Sequence, residues 1–137
     1  MSVVSAARIR RMLPAGIVRK LPKKVLIIRI SAKESTRLNA QYRNKPLPTN
    51  VLSFRYGPAY GEVLLCPAVI RAEAKQQGNS YDKQMTWMII HGMLHLAGLH
   101  HERSEATRKR VEQLEQKLLG IFKRFLAKPK IQRQRRL

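Results

Sequence analysis

The chain has 137 residues, enough for one domain with one hydrophobic core. Its apolar fraction of 44% and mean hydropathy of −0.36 place it among globular chains; its longest apolar-rich stretch, Met85–Leu99, is 15 residues long and holds two histidines, which excludes a membrane-spanning helix. The single cysteine, Cys66, excludes an internal disulfide framework and fits a reducing compartment, while 28 Lys+Arg against 8 Asp+Glu give a net charge of +20, which self-repulsion tolerates best beside a polyanion such as nucleic acid.

In chain order, residues 1–24 form a basic N-terminal segment carrying Arg8, Arg10, Arg11, Arg19, Lys20, Lys23 and Lys24 without an acid. It lacks the apolar core of a secretory signal, and its composition keeps a mitochondrial location open beside a cytoplasmic one. Val25–Ile30 is β-branched and reads as a strand, and Ser31 is placed to cap a helix reaching about Tyr42. Pro46 and Pro48 break the chain before two further strands, Val51–Phe54 and Glu62–Cys66. Pro67 and Gly78 occupy the N1 and C′ positions of the next helix. Asp82 is a cap candidate for a buried helix that Gly98 ends. Ser104 can cap a last helix with an apolar stripe from Val111 through Leu114, Leu118, Ile121, Phe122 and Phe125. The single folded domain is expected over 25–126, followed by a basic tail, 127–137, whose composition predicts disorder. The order strand–helix–strand–strand–helix–helix–helix predicts an α+β fold, with a small mixed sheet of three to four strands packed with helices, one of them central.

The chemistry concentrates in HGMLHLAGLHH, where all four histidines, His91, His95, His100 and His101, fall within eleven residues. His91 and His95 lie four apart, about 40° apart around a helix, so both imidazoles can approach one metal ion from the same face. A turn at Gly98 allows either His100 or His101 to return as a third ligand, leaving the open position that marks catalytic zinc. One Zn²⁺ is the expected cofactor. The zinc-protease helix HExxH carries its general base after the first histidine, and Gly92 stands there in this chain, which disfavours peptide hydrolysis. A phosphodiester substrate instead calls for positive charge on its nonbridging oxygens, supplied best by an arginine.

HGMLHLAGLHH resembles the H-G-x-L-H-L-x-G-x-D-H signature of the YbeY family of metal-dependent endoribonucleases. LNAQYRNKPLPTNVLSF (Leu38–Phe54) is similar to the family's LN-x-x-YR-G-K-x-x-PT-[DN]-VLSF segment. GEVLLCPAVIRAEAKQQG (Gly61–Gly78) is similar to its following strand and helix. The three segments keep the family's order, within about Val25–Leu119. The resemblance implies metal ligation by His91, His95 and His101, the third chosen by the family's H-x3-H-x5-H spacing. It implies that Arg43, within YRNK, is the catalytic or RNA-contacting arginine. It also implies single-strand-specific cleavage in rRNA maturation and ribosome quality control, with rRNA and the ribosome as partners. One departure is His100, which stands where the family has an aspartate. A monomer is expected. Two other classes fit part of the pattern: a non-catalytic zinc-containing RNA- or ribosome-binding module, which a fourth ligand at His100 would favour, and a zinc hydrolase that does not act on RNA, which Gly92 and the charge disfavour.

Overall fold

The computed structural model describes residues 5–99 and 104–135. These form α1 (Ala6–Met12), α2 (Ala15–Val18), β1 (Lys24–Arg29), α3 (Ala32–Arg43), β2 (Val51–Arg55), β3 (Tyr60–Leu65), α4 (Pro67–Gln77), α5 (Tyr81–Leu96) and α6 (Glu105–Arg135). The fold is α+β, as the sequence predicts, with six helices and three strands among the described residues.

The strand order is β1–β3–β2. A short turn joins β2 to β3, so these pair antiparallel, with Val51 opposite Leu65 and Arg55 opposite Gly61. β1 reaches the far side of β3 only after α3 and β2 have intervened, and a connection of that length permits parallel pairing, from Lys24 opposite Tyr60 to Arg29 opposite Leu65.

Local signals explain most boundaries. Ser31 Oγ accepts from Glu34 N–H to start α3, and Asn44 ends it in the left-handed region at φ 62°, which Asn tolerates better than most residues. Pro67 opens α4 and Gly78, at φ 73°, closes it. Ser104 Oγ accepts from Thr107 N–H at the head of α6. Asp82 is not the cap of α5. Ser80 is, accepting from Lys83 N–H, and Asp82 sits in the first turn, where its charge still favours the helix dipole.

Two stretches differ from the sequence expectation. Residues 1–24 are not a separate extension over their described part, because Ile9 of α1, Leu13 and Leu21 are buried in the common core. Arg8, Arg11 and Arg19 face outward, while Arg10 turns in to donate to the Pro22 carbonyl at 2.6 Å, so charge conceals the apolar positions of an amphipathic segment. The last helix also runs on through 127–135 rather than ending before a disordered tail. Lys, Arg and Gln dominate the composition there, and all three are good helix formers.

Helix α5 is the centre of the domain. It packs against β2, β3, α4 and α6. Met85, Ile89, Ile90, Met93 and Leu94 are at most 1% exposed, so nearly the whole circumference is buried. The approach to the sheet is closest at Gly92. A Cβ there would fall 2.6 Å from Val63 Cγ1, 3.1 Å from Ser53 Oγ and 3.2 Å from Val51 Cγ2. Ser53 Oγ donates to the Gly92 carbonyl at 2.9 Å across the same contact. Helix propensity alone would favour alanine over glycine by ~1 kcal/mol. We expect Gly92→Ala nonetheless to destabilise the fold by about 1–3 kcal/mol, the usual cost of overpacking, measured by urea denaturation. A stabilised variant would show that the contact yields easily.

Candidate active site

Trp87, His91 and His95 follow one another at i, i+4 and i+8 along the half-buried stripe of α5. The two imidazoles lie with ring centroids 5.2 Å apart and planes tilted by 36°. The spacing of the sequence thus becomes a real juxtaposition. Behind it stands Glu115 of α6, only 1% exposed. Glu115 Oε2 lies 2.7 Å from His91 Nδ1, and Glu115 Oε1 accepts from Trp87 Nε1–H at 3.0 Å. A carboxylate buried this deeply would be costly without such partners.

Sequence reasoning missed Glu115. A signal was present. Glu115 lies four residues after Val111 and three before Leu118, so an acid occupies a position on the apolar stripe of α6. Burial of that stripe forces the carboxylate inward, where it must find donors.

Two clefts open beside the histidine pair. One, of about 430 Å³, reaches His91 and is lined by Trp87, Met88, Asn50, Glu112, Glu115 and Gln116. Asn50 Nδ2–H, on its rim, donates to Glu73 Oε1 at 2.9 Å. The other, of about 500 Å³, reaches His95 and is lined by Lys20, Ser53, Arg55 and the end of α5. The first is lined by two carboxylates and the second by two cations, so the pair sits at a boundary between opposite fields. A larger cleft of about 690 Å³, between α2 and α6, reaches neither histidine.

Arg55 shapes the second cleft. Its Nη1 donates to the carbonyls of Leu96, at 2.7 Å, and Lys20, at 2.6 Å. A cation on the last carbonyls of α5 satisfies orphaned acceptors and complements the negative end of the helix dipole. The same side chain ties the segment after α2 to the histidine helix.

The remaining predicted residues are placed as follows. Arg43 is the last residue of α3 and its side chain is exposed; it lines neither cleft beside the histidines. Its neighbour Tyr42 packs edge-on against Phe54 of β2, with ring centroids 5.0 Å apart, so the end of α3 is fastened to the strand that carries Ser53. Further along that side of the sheet, Glu62 accepts from Tyr60 Oη at 2.6 Å and thereby pushes the phenol up from its ordinary value. His100 and His101 lie outside the described residues. Among the described residues no group of three His, Cys, Asp or Glu is arranged to hold a metal. The described donors suit part of such a site, with His91 and His95 as two of its ligands. Two imidazoles share a helix face, and a carboxylate backs one of them, the outer arrangement that orients metal-binding histidines.

A histidine-bearing central helix on a three-stranded mixed sheet thus defines the class. The sequence matches the family Endoribonuclease YbeY over residues 6–123, and the chain belongs to that family. The match includes α1, whose Ile9 lies in the core, and α2, which packs against it. The Endoribonuclease YbeY of Thermotoga sp. (strain RQ2) is 36% identical over 95 residues, covering 68% of this chain and 63% of the relative. That of Pseudoalteromonas translucida is 40% identical over 94 residues, covering 64% and 61%. That of Bdellovibrio bacteriovorus is 34% identical over 106 residues, covering 76% and 69%. The chain therefore aligns with less than two thirds of the first two relatives. A solution structure of a Thermotoga maritima protein superposes with a TM-score of 0.57 at 26% identity, over 85% of this chain and 83% of that one.

Arg55→Ala should remove both carbonyl contacts at the end of α5. Because the side chain is exposed, the expected loss is about 1–2 kcal/mol, at the low end for charge-assisted bonds. Thermal unfolding checks the magnitude, and amide exchange should quicken first at Ala97 and Gly98. Unchanged exchange there would show that the cap contributes nothing.

Proposed function

We propose that this chain is a zinc-dependent endoribonuclease that cleaves single-stranded RNA, acting in rRNA maturation and ribosome quality control. The observation that carries the reading is the pair His91 and His95 on one face of α5, with Glu115 behind His91, in a chain of the Endoribonuclease YbeY family. In this reading one Zn²⁺ is held by His91, His95 and His101. When bound, the ion supplies Lewis-acid chemistry at the scissile phosphate.

The chain's own residues do the rest. Gly92 cannot carry a side chain against the sheet, so the helix has no room for the glutamate of the protease motif, and a phosphodiester fits the site better than a peptide. Arg43 contacts the nonbridging oxygens with its planar guanidinium and stabilises the charge that builds on them in the transition state. What supports this role is the place of Arg43 within YRNK, the segment that resembles the family's. Charge supports the choice of polyanion. Residues 1–37 carry ten basic side chains against one acid, and residues 103–137 carry twelve against three. These flanks capture RNA, and release of counterions makes that capture steeply salt-dependent. No helix among the described residues is long and apolar enough to cross a membrane. The proposed setting is the cytoplasm, with the ribosome as partner and the chain acting as a monomer.

Purified protein should contain about one equivalent of Zn²⁺, and His91→Ala and His95→Ala should each lose it. Full occupancy in both variants, by elemental analysis, would sink the metal site. Single-turnover cleavage of a labelled single-stranded RNA should stop on addition of a chelator and resume with Zn²⁺. On the same substrate, Arg43→Ala should keep the fold and the metal while losing about 10²–10³-fold in rate, the usual cost of one transition-state donor. Arg43→Lys should restore little, because a point charge cannot make a two-oxygen contact. A wild-type rate in Arg43→Ala would reduce it to one more surface arginine.

A further inference from the structure

We propose that Glu115, itself held in orientation by Trp87, sets the tautomer of His91 and so presents its Nε2 lone pair to the face shared with His95. The proposal concerns how His91 is positioned and rests on the metal reading above only for its functional consequence.

The two donors and the carboxylate are arranged with little freedom. Trp87 and His91 lie one helical turn apart on α5, so both ring N–H groups reach across to a single side chain on α6. An indole nitrogen can only donate, and it occupies Oε1 at 3.0 Å. That leaves Oε2 opposite His91 Nδ1 at 2.7 Å. An ionised carboxylate can only accept, so the proton of that bond belongs to Nδ1. In a neutral imidazole the lone pair then sits on Nε2. Glu115 is 1% exposed, so little of its carboxylate meets solvent and the bonds to Trp87 and His91 hold its orientation. A carboxylate that backs a ligating histidine in this way typically raises metal affinity by about 10–100-fold.

The geometry makes a prediction opposite to simple loss of charge. In Glu115→Gln the side chain keeps its size. The indole N–H must still meet an oxygen, so the amide oxygen faces Trp87 and the NH₂ faces His91. Nδ1 is then required to accept, and the ring proton moves to Nε2, the nitrogen a metal needs bare. Adding Trp87→Phe removes the donor that dictates the amide orientation. The glutamine is then free to turn its oxygen toward His91 and restore the Nδ1–H form.

The test uses the full chain, metal-free, at a pH well above the ordinary imidazole value, with His91 nitrogens assigned by ¹⁵N–¹H correlation spectroscopy. Wild type should show Nδ1–H, Glu115→Gln should show Nε2–H, and the double variant should return to Nδ1–H. Titration with Zn²⁺ should give an affinity about 10–100-fold lower for Glu115→Gln than for wild type, with recovery in the double variant. A merely structural role would lower the melting temperature of both variants without exchanging the tautomer, and that result overturns the proposal. So does Nε2–H, or a doubly protonated ring, in the wild type, a measurement that decides the matter even where a variant fails to fold. If wild type takes up no Zn²⁺ while the tautomers exchange as stated, the metal reading fails and the assignment to Glu115 stands.

Discussion

The architecture turns on how closely α5 can lie against the sheet. Gly92 is the point of contact, and with Val63 Cγ1 only 2.6 Å from where a Cβ would stand, no other residue fits without displacement. That contact also fixes the rotation of the helix about its axis. At about 100° per residue, a helix that turns residue 92 onto the sheet carries residues 91 and 95 roughly 60–100° round from it, on the same side. The histidines therefore emerge sideways, over the clefts that Asn50 and Ser53 of the β2 region help to line. Absence of the protease glutamate and placement of the imidazoles are one constraint seen twice.

Around that helix the protein divides its charge. The acids that touch the histidine region, Glu112 and Glu115, come from α6, and the cations, Lys20 and Arg55, come from the segment after α2 and from β2. Arg55 is spent on the carbonyls of Leu96 and Lys20, so its first task is to end α5 rather than to bind a ligand. Much of the remaining positive charge lies in the flanks of the chain. α1 shows how a segment serves both purposes. Ile9 anchors it in the core at 0% exposure while Arg8 and Arg11 stay at the surface. Charge on this scale disguises a folded amphipathic segment as an extension when only composition is read.

Much of the fold is legible residue by residue. Ser31, Pro67, Gly78 and Ser104 mark their helix ends because capping and left-handed closure depend on neighbours three or four residues away. Where two caps compete within a few residues, local chemistry does not choose, and Ser80 rather than Asp82 starts α5. The histidine pair is equally local. Four residues on a helix become adjacent rings whatever else the chain does, and the structure places them 5.2 Å apart. Arg43 is legible only through its motif, since one exposed arginine among 28 Lys+Arg carries no signature of its own.

By itself the sequence determined the kinds and order of the elements, the helix that bears the histidines, and the family to which the chain belongs. It did not determine what stands behind those histidines. Glu115 and His91 are 24 residues apart, and Glu115 and Trp87 are 28 apart, on two successive helices. Their bonds require α5 rotated by the Gly92 contact and α6 rotated by burial of Val111, Leu118 and Phe122. Each rotation is a packing decision made by the whole core. A periodic pattern can say that Glu115 points inward, but only the assembled tertiary structure says that it meets an indole and an imidazole there.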